Sequence, residues 1–143
     1  MHPFHHALSS VKKFGGVTAD YIAIHEWFDE TKQYMGDCRH RALRHHTAGI
    51  FWCEQKFGDT ITVWTKDVAK QVPIRLIAEQ HVMEDMGFLP TPEWWLRNMT
   101  MTAEMNRVPT KSGSLWNEAP SPLTEEQQEI KRKLAAEFYK TSG

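Results

Sequence analysis

Histidine residues paired with acids are the groups in this sequence that could do chemistry. All eight histidines lie between positions 2 and 81. His25 is followed four residues later by Asp29, and His81 is followed four residues later by Asp85. Side chains four apart lie on the same face of a helix, so each pair can present two metal ligands, or one ligand and the carboxylate that orients it. The spacing therefore indicates metal binding or proton transfer between helices.

Imidazole and carboxylate groups from several helices can converge on the axis of a helical bundle and hold one divalent ion there. These ligand types suit zinc, manganese, nickel and iron, and the sequence does not distinguish among these metals. We therefore expect a divalent metal ion as the cofactor. The predicted ligands are His6, His25, Asp29, His46, His81 and Asp85.

Arginines beside these histidines favour a phosphorylated substrate. The segment from Arg39 to His46 reads RHRALRHH, and six of its eight residues are Arg or His. A divalent ion lowers the pKa of a bound water, and guanidinium groups neutralise charge that develops on phosphoryl oxygens. The pattern predicts a metal-dependent hydrolase of a phosphate ester, such as a nucleotide or a nucleic-acid fragment. In this hypothesis Arg41 and Arg44 hold the phosphate, and Glu79 is the general base.

Two other functions fit the same residues. The Arg/His segment could hold a nucleotide or a host protein without chemistry, with Trp27, Trp52 or Trp94 as stacking surfaces. Alternatively, the histidines form a structural polar network inside the bundle, because a buried histidine is more often hydrogen-bonded than metal-bound. The HExxH motif, the Cys/His zinc patterns, the P-loop and the dinucleotide fingerprint are absent. No single motif therefore decides among the three functions.

Helical periodicity dominates the chain and predicts the elements that position these residues. Pro3 in a first turn and the glycine pair at 15–16 delimit a first helix, and Gly87 ends a later one. Alternation with a period of two around the sequence TKD predicts a β-hairpin at about 60–75, with Pro73 on an edge strand. The predicted helices cover about 2–14, 21–29, 30–57, 75–86, 91–99 and 124–143.

The longest predicted helix, over 30–57, carries the adjacent histidines. Its clearest apolar row alternates spacings of three and four and includes His46, which places that imidazole in the buried stripe. His45 lies beside it on the packed side, whereas His40 and Arg44 fall on the polar side. The row is Leu43, His46, Ile50, Cys53 and Phe57.

The order of the elements predicts a mainly α fold, a compact helical bundle with one small β-hairpin and a C-terminal helix after a linker. Residues 1–99 would form the histidine-rich domain. Residues 100–123 are rich in Pro, Ser, Thr and Asn without periodicity, which is typical of a linker. A capping box of Thr124 and Gln127 opens an amphipathic helix over 124–143. Its thin apolar row either docks on the domain or binds a partner, which could be a second copy of the chain. The row is Ile130, Leu134 and Phe138.

Charge, cysteine content and hydropathy limit the partners. The formal net charge is −1, which argues against bulk electrostatic binding to nucleic acid. Cys38 and Cys53 match no zinc pattern, and we expect both to be reduced and buried. No apolar run approaches 18 residues and no signal peptide is evident, so we expect no membrane association and a cytoplasmic location.

Six phrases occur in the chain in a fixed order: HPFHHALSSVKKFGG, DYIAIHEWFDETK, RHRALRHHTAGIF, VPIR, EQHVMEDMGFLPT and WWL. Together they resemble a family of short His-rich proteins of unknown function from bacteria and their phages. The resemblance covers about residues 2–98 and is centred on RHRALRHH and EQHVMED. It implies a compact unit, in the host cytoplasm if the chain is phage-encoded, and it carries no catalytic assignment. If the chain is a phage protein, the resemblance is compatible with a function in sequestering a host signal or inhibiting a host factor. The sequence VWTKDVAK and the tail over 100–143 depart from the family pattern.

Overall fold

The computed structural model describes residues 1–106 and 123–141, with side chains to residue 137. Within this part of the chain, seven α-helices and one antiparallel hairpin confirm the predicted mainly α class. The helices are α1 (Pro3–Phe14), α2 (Ile22–Asp29), α3 (Arg41–Arg44), α4 (Thr47–Phe57), α5 (Ile74–Met86), α6 (Pro92–Arg97) and α7 (Glu125–Thr141), and the strands are β1 (Thr60–Thr65) and β2 (Val68–Pro73). Short 3-10 turns occupy Thr18–Asp20, Glu30–Gln33, Cys38–His40 and Glu104–Asn106. None of these described helices has the length and apolar character of a membrane span.

The chain forms two compact units, Met1–Met99 and Thr100–Gly143. In the first unit, α1 and α2 pack against each other. His2 caps α1 by accepting a hydrogen bond from the N–H of Phe4 at 3.1 Å. Tyr21, just before α2, is fully buried, and its hydroxyl donates to the carbonyl oxygen of Gly15 at 2.7 Å. This bond ties the end of α1 to the start of α2.

The predicted helix over 30–57 is wrong, because the chain is interrupted twice there. At the first interruption Asp37 is extended, and its carboxylate accepts a hydrogen bond from the N–H of Arg39 at 2.9 Å. This bond caps the 3-10 turn Cys38–His40. An aspartate that follows Gly36 therefore starts a new element instead of continuing the old one.

The second interruption separates α3 from α4. His45 leaves helical geometry, with φ −83° and ψ 68°. His46 is extended and caps α4 by accepting a hydrogen bond from the N–H of Gly49 at 3.0 Å. Glycine is required at position 49, because a Cβ there would lie 1.7 Å from the carbonyl oxygen of Arg44. The two adjacent imidazoles consequently have different partners.

The β-hairpin is present and has a two-residue turn. Lys66 and Asp67 have φ angles of 48° and 66°, so both adopt the left-handed backbone that a type I′ turn requires. The turn is tight although it contains neither Asn nor Gly. Val63 and Val72 are fully buried, so one face of the hairpin packs on the apolar core.

Helix α5 packs against α1, α2, α4 and β2. Gly87 ends it in the left-handed conformation, at φ 80°. Thr91 then caps α6 by accepting a hydrogen bond from the N–H of Trp94 at 3.1 Å, and Pro92 occupies the first helical position. Both helix boundaries follow the sequence prediction.

The second unit contains α7, which begins with the predicted capping box. The N–H of Gln127 donates to Thr124 Oγ1 at 3.2 Å, and the N–H of Thr124 donates to Gln127 Oε1 at 3.1 Å. Ile130 and Leu134 are exposed. The side chain of Phe138 and most of the predicted linker lie outside the described residues. Self-association through this helix stays a prediction.

Burial should make the two cysteines differ in reactivity. Cys53 is buried, which raises the pKa of its thiol to about 12, whereas Cys38 is exposed, so the prediction that both are buried is wrong for Cys38. At mildly alkaline pH we expect Ellman's reagent to titrate one thiol in the folded chain and two in the unfolded chain. The variant Cys38→Ser should remove the fast reaction. Two fast thiols in the folded wild type would contradict the packing of α4.

Candidate metal centre

Three helices and the end of a fourth direct imidazole and carboxylate groups into one buried cluster. Because the paired residues are four apart on α2 and on α5, each of these helices presents two groups on its inward face. The side chains are at most 7% exposed. We call this group the imidazole–carboxylate cluster. Its members are His6 from α1, His25 and Asp29 from α2, His45 after α3, and His81 and Asp85 from α5. Five of the six predicted ligands are thus brought together.

Asp85 has the most partners in the cluster. Its Oδ2 lies 2.9 Å from His45 Nε2 and 3.2 Å from His81 Nε2, and its Oδ1 lies 3.2 Å from His6 Nε2. Burial by itself would raise the pKa of Asp85, but its close contacts with the imidazoles of His45, His6 and His81 outweigh burial and hold its pKa well below the usual range. Asp85 is therefore a carboxylate in the interior of the protein.

Asp29 faces two of the same imidazoles. Its Oδ1 lies 3.7 Å from His45 Nε2 and 3.6 Å from His81 Nε2, and these two nitrogens are 3.1 Å apart. Burial acts to raise the pKa of Asp29, but His81 and Lys32 lower it by more, so the net shift is downward. Lys32 Nζ is 4.0 Å from Asp29 Oδ2. The two imidazoles are therefore flanked by two negatively charged carboxylates.

Five distances among four of these groups are close to those between ligands around one small ion. The four groups are Asp29 Oδ1, His45 Nε2, His81 Nε2 and Asp85 Oδ2. The imidazole–imidazole and imidazole–carboxylate distances among them range from 2.9 to 3.7 Å. Tetrahedral ligands at about 2.0–2.1 Å from zinc lie about 3.3–3.4 Å from one another. His6 adjoins them, since one ligand atom each from His6, Asp29, His81 and Asp85 lie within 4.8 Å of one another. The cluster could therefore hold a divalent metal ion.

Buried polar atoms without a hydrogen bond are concentrated in the same place. Four buried side-chain atoms lack a hydrogen-bond partner in the described part of the chain: His6 Nε2, Asp29 Oδ2, Arg41 Nε and His45 Nδ1. His6 Nε2 is close to Asp85 Oδ1 but is not aligned for a hydrogen bond. All four atoms belong to the cluster or to the arginine beside it. Because buried polar atoms are normally satisfied, this concentration points to a further charged or polar partner.

Polar side chains that the sequence analysis missed surround His6 and His25. Ser10 Oγ lies 2.8 Å from His25 Nε2 and donates to Gln80 Oε1 at 2.9 Å, and Glu84 Oε1 lies 3.0 Å from His6 Nδ1. Burial acts to lower the pKa of His6, but the neighbouring carboxylates outweigh it, so this pKa is raised. Ser10 follows His6 by four residues, and Glu84 follows Gln80 by four. The helical spacing that found the other pairs could therefore have found these residues.

Burial keeps two imidazoles of the cluster neutral. It lowers the pKa of His25 to about 2, assisted by the nearby imidazoles of His81 and His6. It also lowers the pKa of His45 to about 4, although the hydrogen bond with Asp85 acts in the opposite direction. Since a neutral imidazole is the form that binds metal, His25 and His45 are in a metal-binding state at neutral pH.

His45, and not His46, faces the cluster. His46 is buried, but its Nδ1 accepts from the N–H of Gly49 and its Nε2 lies 3.2 Å from the carbonyl oxygen of Leu43. Both of its ring nitrogens thus bond to the backbone, and the structure does not bring His46 to the other predicted ligands. Trp95 Nε1 donates to the carbonyl oxygen of His45 at 2.9 Å and helps to orient that residue. The prediction of His46 as a ligand depends on a continuous helix through residue 45, and the helix is interrupted at His45.

His40 is a further buried imidazole at the edge of the cluster. Its Nδ1 lies 2.9 Å from Thr31 Oγ1, and its ring meets the His45 ring edge-on, with centroids 5.5 Å apart. Burial lowers the pKa of His40. Its expected place on a polar face is wrong, because that face belonged to the long helix that the structure interrupts.

Arg41 is the predicted catalytic residue that contacts the cluster. Its Nη2 lies 3.8 Å from Asp85 Oδ1, and 27% of its side chain is exposed. The backbone nitrogen of Met1 lies 3.2 Å from the same carboxylate oxygen. Arg41 therefore lies at the boundary between the buried carboxylate and solvent.

The other two predicted catalytic residues lie elsewhere. The Arg44 guanidinium covers the ring of Trp27, 4.2 Å from its centroid, and pairs with Glu30 at 3.2 Å. Glu79 pairs with Arg75 at 3.4 Å, one turn away on α5. The structure does not bring Arg44 or Glu79 to the cluster.

Buried neutral histidines should make the metal-free fold sensitive to acid. The pKa values of His25 and His45 are about 2 and about 4 in the folded chain, against 6.5 for an ordinary histidine. Between pH 4 and 6.5 the unfolded chain therefore binds more protons, so the free energy of unfolding should rise with pH, by roughly 2 kcal/mol or more. His6, whose pKa is raised, opposes this trend, because its stabilisation is lost as the pH rises.

Urea unfolding of the full chain in EDTA, at several pH values across this window, measures the slope. We expect a smaller slope for His45→Gln. A wild-type stability that is flat or falls with rising pH would contradict the burial of neutral imidazoles.

Comparison with known proteins provides a family but no function. Searches of the curated proteins and of the solved structures gave no match. A family model described as a domain of unknown function matches residues 1–105, a range that includes the whole cluster. This agrees with the resemblance to an uncharacterised family, whereas a histidine-rich character of that family and a bacterial or phage origin stay expectations. The chain therefore belongs to the family of the domain of unknown function DUF6915.

Proposed function

We propose that this chain is a metal-binding protein that holds one divalent transition-metal ion in the imidazole–carboxylate cluster. The proposed ligands are Asp29 and Asp85 through oxygen, and His45 and His81 through Nε2. The observation that carries the proposal is the convergence of buried imidazole and carboxylate atoms that lie 2.9–3.7 Å apart. Buried polar atoms without a hydrogen bond are concentrated around them. His6 adjoins this set at the other oxygen of Asp85.

The charges of these groups also support a divalent cation. Two carboxylates and two neutral imidazoles around an ion of charge +2 make a centre without net charge, which lowers the cost of burying the carboxylates. Nitrogen and oxygen ligands at these separations suit a small ion such as zinc. When bound, such an ion would supply Lewis acidity to the centre.

Elemental analysis of the full chain, purified without a histidine tag and dialysed against zinc, tests the metal site. We expect about one zinc per chain, because the proposed ligands form one set. Asp85→Asn should reduce the zinc content to background, since it removes the carboxylate shared by most partners. His45→Gln is a second variant that tests the same site if Asp85→Asn does not fold.

Two histidine variants serve as controls. His5→Ala removes an exposed imidazole of α1, and His46→Ala removes a buried imidazole that bonds only to the backbone. Both should keep the zinc, although His46→Ala should lower the free energy of unfolding by about 1 kcal/mol through loss of the α4 cap. Wild-type protein without zinc, or zinc lost equally in the control variants, would overturn the proposal.

Arg41 favours one catalytic use of this centre, the hydrolysis of a phosphate ester. A partly exposed guanidinium, 3.8 Å from a proposed metal ligand, can hold a phosphoryl group next to the ion. Arg44 and Glu79 have no part in this form of the hypothesis, because both have partners elsewhere. The phosphorylated ligand, whether a nucleotide or a nucleic-acid fragment, stays a proposal.

Turnover of a chromogenic phosphodiester and of nucleoside monophosphates by the zinc- or manganese-loaded chain tests the catalytic use. We expect Arg41→Ala to lower kcat/KM at least tenfold while the metal content is unchanged. Arg44→Ala is the matched control and should keep the activity. A loaded wild type without turnover would contradict hydrolysis of these substrates.

A nucleotide that raises the melting temperature without being consumed would instead favour the binding function. Trp52 and Trp94 are exposed and could stack on a base, whereas Trp27 is buried beneath Arg44. Under the binding function, the other class of partner is a host protein.

A further inference from the structure

We infer that Gln80, Ser10 and His25 form a hydrogen-bond relay that fixes the proton of His81 on Nδ1 and leaves His81 Nε2 to bind the ion. The inference rests on the proposed metal site and names the atom through which His81 serves it. It also assigns His25, predicted from sequence as a ligand, a positioning role behind His81.

The orientation of the Gln80 amide is fixed by the two oxygens that face its nitrogen. Its nitrogen lies 3.0 Å from the backbone carbonyl oxygen of His6 and 2.8 Å from Glu84 Oε1. The backbone carbonyl oxygen can only accept a hydrogen bond, and a carboxylate oxygen is an acceptor as well. A flipped amide would place oxygen against two acceptors. Gln80 Oε1 therefore faces Ser10.

The hydroxyl of Ser10 has one proton to donate and three polar neighbours. Ser10 Oγ lies 2.9 Å from Gln80 Oε1 and 3.1 Å from the backbone carbonyl oxygen of His6, and both are acceptors. Its third neighbour is His25 Nε2, at 2.8 Å. Because the hydroxyl proton is donated to one of these two oxygens, the hydrogen bond between Ser10 Oγ and His25 Nε2 needs a proton from the imidazole. His25 therefore carries its proton on Nε2.

The imidazoles of His25 and His81 form a hydrogen bond with each other. His25 Nδ1 lies 3.0 Å from His81 Nδ1, and a bond between two nitrogens needs one proton. A neutral His25 with its proton on Nε2 has a bare Nδ1, so the proton between the rings belongs to His81. In a neutral His81 this leaves Nε2 with a lone pair, and that atom faces the carboxylates of Asp85 and Asp29 at 3.2 and 3.6 Å.

This assignment decides between two groups of possible ligands. His6, His25 and His81 also have ligand atoms within 4.8 Å of one another. An ion held between the facing Nδ1 atoms of His25 and His81, which lie 3.0 Å apart, would require both nitrogens to be bare, and the relay protonates one of them. The relay thus favours a centre that uses His81 Nε2, beside the carboxylates of Asp29 and Asp85, over one that uses His81 Nδ1, beside His25. Outer hydrogen bonds of this kind fix the tautomer of ligating histidines.

Long-range proton–nitrogen NMR spectra of the full chain, labelled with ¹⁵N-histidine, test the relay at neutral pH. Without metal we expect His25 to be bare at Nδ1 and protonated at Nε2, and His81 to be protonated at Nδ1. After zinc addition His81 should keep that proton while its Nε2 signal moves. A bare or zinc-bound Nδ1 on His81 would overturn the inference, even if zinc binds.

Ser10→Ala removes the acceptor for His25, and Thr31→Ala is the matched control because its hydroxyl contacts His40, a buried imidazole outside the relay. Ser10→Ala should move the His25 proton and weaken zinc binding tenfold to a hundredfold. Thr31→Ala should leave the His25 and His81 protons in place. An unchanged His25 proton in Ser10→Ala would overturn the relay.

The two proposals fail in different ways. The expected proton positions in a chain that binds no zinc would support the relay and overturn the metal site. Zinc bound with a deprotonated His81 Nδ1 would keep the metal site and overturn the relay. Wild-type spectra alone decide the inference if Ser10→Ala does not fold.

Discussion

An ionised carboxylate inside a small protein needs positive or hydrogen-bonding partners, because transfer of an unpaired charge from water costs several kcal/mol. Asp85 has such partners at both oxygens, which α1, α5 and the end of α3 supply, and Asp29 from α2 faces two of the same imidazoles. The relative positions of these elements are therefore constrained by polar groups with few acceptable arrangements. A network of this kind favours one packing of the helices over others.

Apolar burial surrounds this polar centre and supplies the driving force for folding. Phe28 forms one wall of the centre, since its ring stacks on His81 with centroids 4.7 Å apart and an interplanar angle of 17°. Beyond it, apolar residues of the hairpin and of α5 are fully buried. Apolar surroundings strengthen the electrostatic interactions inside the cluster and raise the free-energy cost of a polar atom without a hydrogen bond. The proposed ion would satisfy Asp29 and Asp85 in this environment, and Arg41 would link it to solvent.

Helical spacing predicted most of the fold and most of the centre. The pairs His25/Asp29 and His81/Asp85 are local, so a period of four was enough to place each on one inward face. Capping residues and glycines likewise set the ends of α5, α6 and α7. The errors come from the segment over 30–57, where local signals compete. Asp37 caps a new turn and Gly49 admits the backbone of Arg44, so His45 replaces His46 at the centre. Periodicity does not encode which helices pack against each other. It therefore could not show that Glu79 lies away from the cluster and pairs with Arg75.

Anomalous diffraction from crystals of the zinc-loaded full chain, measured on both sides of the zinc absorption edge, tests the central claim most directly. The account predicts one strong peak among Asp29, His45, His81 and Asp85, with ligand distances of about 2.0–2.2 Å to their oxygen and Nε2 atoms. A peak only at the exposed histidines near the start of α1, or no peak in a well-ordered cluster, would contradict it.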